Sequence, residues 1–162
     1  MSWPDVVLDE VARLEVLARA RPYLCLEEVR VDLPLDRVWS VVADMETGVP
    51  RYESGIERVE ILERDGDTLR LRAFGRFGPG LRLEAELRRG WCLMWSGRLE
   101  IGIAAAECTR TGETRLAHFE GVRGSGPWLR PIFRQKVRRE LAQMIRLARS
   151  VESAESAGAS GG

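Results

Sequence analysis

Histidine and lysine are almost missing from this sequence of 162 residues: His118 is the one histidine and Lys136 the one lysine. With a single imidazole and three scattered cysteines, Cys25, Cys92 and Cys108, no group of residues has the usual spacing of a metal site. Neither a metal nor a cofactor is therefore expected. An odd set of distant cysteines in apolar strand contexts also argues against a disulfide frame, and they read as buried free thiols in a reducing compartment. Net charge is absent, with Lys+Arg 25 against Asp+Glu 25, so no whole-molecule field draws nucleic acid. No run approaches the ~20 apolar residues of a membrane-spanning helix. The opening Met1-Ser2-Trp3-Pro4-Asp5 has no basic segment, no signal peptide is visible, and a cytoplasmic location is expected. Gly-x-Ser-x-Gly is missing, and Gly75, Gly78 and Gly80 fall between strands, the wrong place for a phosphate cradle.

What is present suits one domain with a real core: 44% of the residues are hydrophobic. Residues 1–21 read as an extra helix that the core does not need, with Ser2 as cap, Pro4 in the first turn and Val7, Val11, Leu14 and Ala18 on one stripe. Residues 24–33 alternate as a strand, and Pro34 opens a short helix through residue 43 with Val38, Val41 and Val42 inward. Strict alternation then takes over. Over residues 68–77 and 81–87 the odd positions, among them Leu71, Ala73, Leu83 and Ala85, are apolar, while the even ones are mostly Arg and Glu. The glycine-rich link makes these two a hairpin with one core face and one solvated face. Further strands are expected at 56–64, 91–99, 101–109 and 114–123.

A turn around Trp128-Leu129 should precede a long amphipathic helix from about residue 131 to 151. Its stripe is Phe133, Val137, Leu141, Met144, Ala148 and Val151, and Arg134, Lys136, Arg138, Arg139, Arg146 and Arg149 form a basic face read as solvated. That face leaves peripheral membrane contact open. Residues 152–162 are Ala, Ser and Gly with two glutamates, and a disordered tail is expected. One long helix cannot cover both faces of a curved antiparallel sheet, so it is expected to lie in the concave face over an apolar pocket. Residues 24–151 then form an α+β ligand-binding domain, monomeric or homodimeric.

The order strand, short helix, strand ladder and long closing helix, with "VWSVVADMETGVPRYESGIERVEILERDGDTLRLRAFG" (38–75), "WSGRL" (95–99) and "TRLAHFEGVRG" (114–124), resembles the START-like (SRPBCC) superfamily. Within it the polyketide cyclase/dehydrase and coenzyme Q-binding groups look most alike. The resemblance implies a helix-grip fold: about seven curved antiparallel strands around the C-terminal helix, enclosing a hydrophobic cavity for lipids, polyketides or quinones. It places Tyr52 where an aromatic borders the cavity entrance in relatives. A polar residue that relatives often carry on the neighbouring strand is missing here, where the chain reads Ile103-Ala104-Ala105-Ala106.

Alternation on the last strand gives the one polar constellation. Leu116, His118 and Glu120 share a face, and with Leu116 inward the imidazole and carboxylate meet the cavity, able to bind a ligand carbonyl or move a proton. The same pair reads equally well as a buried His–Glu contact. Leu93 and Trp95 are candidates for the cavity floor, Ala105 for its wall, and Phe133, Val137 and Leu141 for its helical side. Trp128 sits opposite the entrance, and Arg98 is a candidate anchor for an acidic head. Three functional classes follow. A carrier or sequestering protein for a small hydrophobic molecule fits best. A polyketide cyclase, aromatase or dehydrase would use His118 and Glu120 catalytically, and an interaction module would use the outer sheet face or the basic helix.

Overall fold

The alternation of the sequence becomes a single sheet in the computed structural model, which describes residues 7–159. Its strands are β1 (Cys25–Val31), β2 (Arg58–Asp65), β3 (Thr68–Phe74), β4 (Leu81–Arg88), β5 (Trp91–Ser96), β6 (Leu99–Glu107) and β7 (Thr114–Val122). All pair antiparallel in the order β1-β7-β6-β5-β4-β3-β2. Helices are α1 (Glu10–Ala20), α2 (Leu35–Ala43), α3 (Val49–Tyr52) and α4 (Arg130–Ala159), the last entered through a 3₁₀ turn at Pro127–Leu129. This is the α+β helix-grip architecture that the sequence predicts.

The β3–β4 hairpin shows how the pattern sets the faces. Leu69 opposes Ala85 and Leu71 opposes Leu83, so all four project to the same side and are buried, while Arg70, Arg82 and Glu84 project outward. The inward side meets α2 and the stripe Val137, Leu141, Met144 and Ala148 of α4, in one contiguous core that also holds Ala73, Ala105 and Leu116. Phe133, expected on that stripe, is only half-buried.

Strand β5 corrects the sequence reading. Trp95 opposes Glu84 and Leu93 opposes Glu86, which puts both on the outer face, and Cys92 and Met94 fill the core instead. The reason is that every residue from Trp91 to Trp95 is apolar, so periodicity leaves the phase of the strand open. Pairing with β4 decides it.

The outer face is itself half covered. Val11 and Leu14 of α1 pack there with Leu24, Trp91, Ala104, Ala106, Ala117 and Phe119 as a second core. The helix approaches so closely that a Cβ on Gly102 would meet the Phe119 ring at 2.5 Å and Leu14 Cδ1 at 2.8 Å. The N-terminal helix thus packs on the outer face of the sheet and closes a second core there. It begins at Glu10, where the Asp9 side chain accepts from the Ala12 amide at 2.8 Å. Ser2, read as the cap, and Pro4, read into the first turn, lie outside the described residues, and Val7 is exposed.

At the other end α4 runs on to Ala159, where a tail disordered from residue 152 was expected. Ala and Glu are strong helix formers, no proline interrupts them, and adding residues to an existing helix needs no new nucleus. Residues 160–162 lie outside the described part. No helix among the described residues is long and apolar enough to cross a membrane.

Candidate functional site

Alternation on β7 points Leu116, His118 and Glu120 at α4, as the sequence predicts. Two residues of α4 one turn apart, Lys136 and Glu140, face them. From the end of α3, Glu53 and Ser54 close the third side. Five ionisable groups therefore meet inside an interface that is otherwise apolar, and His118, Glu140 and Glu53 are 0%, 1% and 3% exposed.

Each member is held by identifiable partners. His118 Nδ1 lies 2.9 Å from the Gly102 carbonyl, which can only accept, so Nδ1 carries a hydrogen. Nε2 lies 2.9 Å from Glu140 Oε2, and a proton is shared between them. Glu140 Oε1 accepts from the Ser54 amide at 2.9 Å, the Ser54 hydroxyl at 2.7 Å and Lys136 Nζ at 2.8 Å. The Lys136 ammonium also donates to Glu53 Oε1 at 2.6 Å and to Glu120 Oε2. Glu53 Oε2 is buried and has no hydrogen-bond partner among the described residues.

These contacts push the carboxylates apart. Burial, then the like charge of Glu140, raises Glu53 to about 7 against the opposing pull of Lys136. Glu140 is buried too, but the bond from His118 and the charges of His118 and Lys136 outweigh desolvation and lower it to about 2. Burial disfavours the His118 cation, yet the bond to Glu140 and the nearby carboxylates raise its pKa on balance. The result is a hydrogen-bonded His118–Glu140 pair beside a carboxyl group poised near neutrality.

A surface cleft of about 280 Å³ reaches this cluster between α3 and α4. Glu53 and Glu140 lie at its floor, Pro50, Tyr52 and Ile56 give it apolar walls, and Arg51, Arg139 and Arg146 surround it. Tyr52, which the resemblance puts at a cavity entrance, is buried in the core and contributes to the lining of this surface cleft. Leu71, Ala73, Leu83, Ala85, Ala105, Leu116, Val137 and Leu141 do come together, but as a packed core. A depression of about 430 Å³ lies instead toward the outer face, with Trp95, Arg70, Arg82 and Glu84 in its lining. Trp128 is exposed, and so is Arg98.

Sequence reasoning found His118 and Glu120 but missed Lys136, Glu140 and Glu53. It paired His118 with Glu120, whereas the structure pairs Glu120 with Lys136 and His118 with Glu140. Lys136 was read onto the solvated arginine face. A signal was available: the one lysine of an arginine-rich chain stands four residues before a glutamate, and both directly precede buried stripe residues, Val137 and Leu141.

No family model and no curated protein matches the sequence. Solved structures do match in shape. A START superfamily protein from Mycobacterium smegmatis superposes with TM-score 0.60 at 14% identity, over 79% of this chain and 98% of its own. The fold is START-like. A second protein, from Thermus thermophilus, gives TM-score 0.60 at 18% identity over 79% of this chain and 98% of its own. The Zhui aromatase/cyclase from Streptomyces sp. R1128 gives 0.52 at 20% identity over 86% and 98%. At these identities the START-like likeness is one of fold.

Proposed function

We propose that this START-like protein binds a small, mainly apolar molecule of the lipid, quinone or polyketide kind, whose oxygen-bearing end enters the α3–α4 cleft. The observation that carries this reading is Glu53, which lines the α3–α4 cleft and whose buried Oε2 has no hydrogen-bond partner among the described residues. Leaving such an atom unpaired costs on the order of 1–3 kcal/mol, which a ligand hydroxyl would recover. Glu53 is held at about 7, so near neutrality it also exists protonated and then donates to a ligand carbonyl. Both nitrogens of His118 are engaged, so the imidazole positions Glu140 and leaves the ligand to Glu53.

Affinity on this reading comes from area. Apolar surface taken out of water gains roughly 25 cal/mol per Å², so a few hundred Å² supports micromolar binding after association costs. The cleft, at about 280 Å³, is just under the ~300 Å³ at which small-molecule pockets begin. It suits the head of such a molecule, with the body lying along Pro50, Tyr52 and Ile56. One observation favours a second reading: a carboxyl group near neutrality beside the His118–Glu140 pair suits proton transfer, as in a cyclase or dehydrase.

Native mass spectrometry for a retained ligand and titration with a fluorescent quinone analogue test the proposal. Saturable binding is expected, weakened by ~1 kcal/mol in Glu53→Gln, in line with one hydrogen bond. Ile56→Arg, which places a charge in the apolar wall, is expected to abolish it while the protein stays folded. No retained ligand and no saturable binding would sink the reading. Turnover of a poly-β-ketone that collapses in Glu53→Gln with affinity intact would favour the enzyme.

A further inference from the structure

Glu53, His118 and Glu140 share a feature that a simple ion-pair network does not require. Each has one polar atom tied to an outer partner and a second atom that no outer partner holds. His118 Nδ1 is tied to the Gly102 carbonyl, Glu140 Oε1 to Ser54 and Lys136, and Glu53 Oε1 to Lys136. The second atoms are His118 Nε2 and Glu140 Oε2, which face each other at 2.9 Å, and Glu53 Oε2, which has no partner among the described residues. One ligand-type atom from each residue lies within 4.8 Å of the other two. Metal-binding histidines and carboxylates are held in this manner, each oriented through the atom that does not touch the ion.

We propose that Glu53, His118 and Glu140 form a binding site for one divalent transition-metal ion of the zinc type, with Gly102, Ser54 and Lys136 as its outer partners. One imidazole nitrogen and two carboxylate oxygens are a ligand set that zinc accepts in sites with an open position. Zinc bonds of about 2.0–2.2 Å set neighbouring ligand atoms roughly 3–4 Å apart, so the His118–Glu140 pair stands near that spacing and Glu53 closes by a side-chain movement of about 1 Å. The ion takes the place of the proton between Nε2 and Oε2, which leaves to solvent together with the proton of any Glu53 that is protonated. Its two positive charges balance Glu53 and Glu140, while Lys136 balances Glu120. The α3–α4 cleft gives the ion its entry path and leaves a coordination position for water or a ligand oxygen.

The inference goes beyond small-molecule binding, and its test is separate. Chelator-treated full-length protein is titrated with zinc chloride by calorimetry and with cobalt(II) followed by visible absorption. One ion per chain is expected, with cobalt bands of a nitrogen–oxygen site and without the sulfur charge-transfer band that a thiolate at the partly exposed Cys108 would give. The near-isosteric Glu53→Gln is expected to weaken zinc binding more than 100-fold, and Ser54→Ala, which alters only an outer partner, about 10-fold. Circular dichroism confirms that both variants are folded, and Cys108→Ala is expected to bind as the parent does. Absence of stoichiometric binding, a sulfur band, loss of binding in Cys108→Ala, or full affinity in Glu53→Gln would each overturn the site. Quinone-analogue binding by a protein that takes up no zinc overturns the metal and leaves the apolar-ligand reading standing.

Discussion

Lys136 carries a heavy burden, because one ammonium neutralises parts of three buried carboxylates. Removing one partner of a buried ion pair is far worse than never having built it, typically by 3–5 kcal/mol. Lys136→Met keeps most of the volume and removes the charge. It is expected to lower stability by about that amount, a fall in melting temperature on the order of 10 °C for a chain of this size. Melting unchanged to within 2 °C or so would mean that water, and not Lys136, compensates these carboxylates. Glu53 supplies the companion test. Its folded pKa of about 7 stands above the ordinary 4.5, so between those values the folded protein retains a proton that the unfolded chain has released. Its contribution to stability therefore falls as pH rises through about 7. In chelator-treated protein, Glu53→Gln is expected to melt with a flatter pH dependence than the parent between roughly pH 5 and 8. Parallel curves would place the titrating group elsewhere.

At the scale of elements, α4 and α1 grip the sheet from opposite sides. Leu141 is buried between α4 and the inner face, next in line to Val137 and Met144. Leu141→Asp puts a carboxylate there and is expected to cost several kcal/mol. A melting temperature within a degree or two of the parent would mean that α4 is not held by this face. On the outer side, Leu14 is fully buried near Gly102 and Phe119. Leu14→Ala is expected to cost 2–5 kcal/mol through lost burial and the cavity left behind, read from chemical denaturation. A surface helix that the sheet did not need would show less than about 0.5 kcal/mol.

For the whole molecule, the buried groups combine into one pH profile with a definite shape. Glu140, lowered to about 2, contributes stability that is lost as pH falls from 4.5 toward 2. Glu28 and Glu100 act in the same direction, since their pKa values are lowered too. His118 is raised above 6.5, and its contribution, like that of Glu53, is lost as pH rises. The metal-free protein is therefore expected to be most stable near pH 4.5 and to weaken on both sides, through Glu140 below and through Glu53 and then His118 above, as thermal melts across pH would record. A maximum above pH 8 would show that His118 and Glu53 are not the protonated partners described here.

Periodicity by itself determined a great deal about this protein. Strict alternation in β3 and β4 defined their faces, and placing Leu116 inward set that of β7, because a period of two leaves one choice once a single residue is known to be buried. The repeat from Phe133 to Ala148 marked the closing helix, and the order of elements placed it over a curved antiparallel sheet, which the family resemblance implied to be START-like. His118 and Glu120 were legible for the same reason, as neighbours of Leu116 on an alternating strand. Tertiary structure decided the rest wherever local pattern is degenerate or the partner is distant. β5 is apolar at five consecutive positions, so only its pairing with β4 turned Cys92 and Met94 inward and Leu93 and Trp95 outward. α1 presents a stripe but does not say what covers it, and only the packed chain brings Leu14 onto Phe119. Glu53, His118 and Glu140 stand far apart in the sequence and lie on a turn, a strand and a helix. Their meeting is an electrostatic fact of three dimensions, since two carboxylates can be buried together only where Lys136 and an imidazole arrive with them.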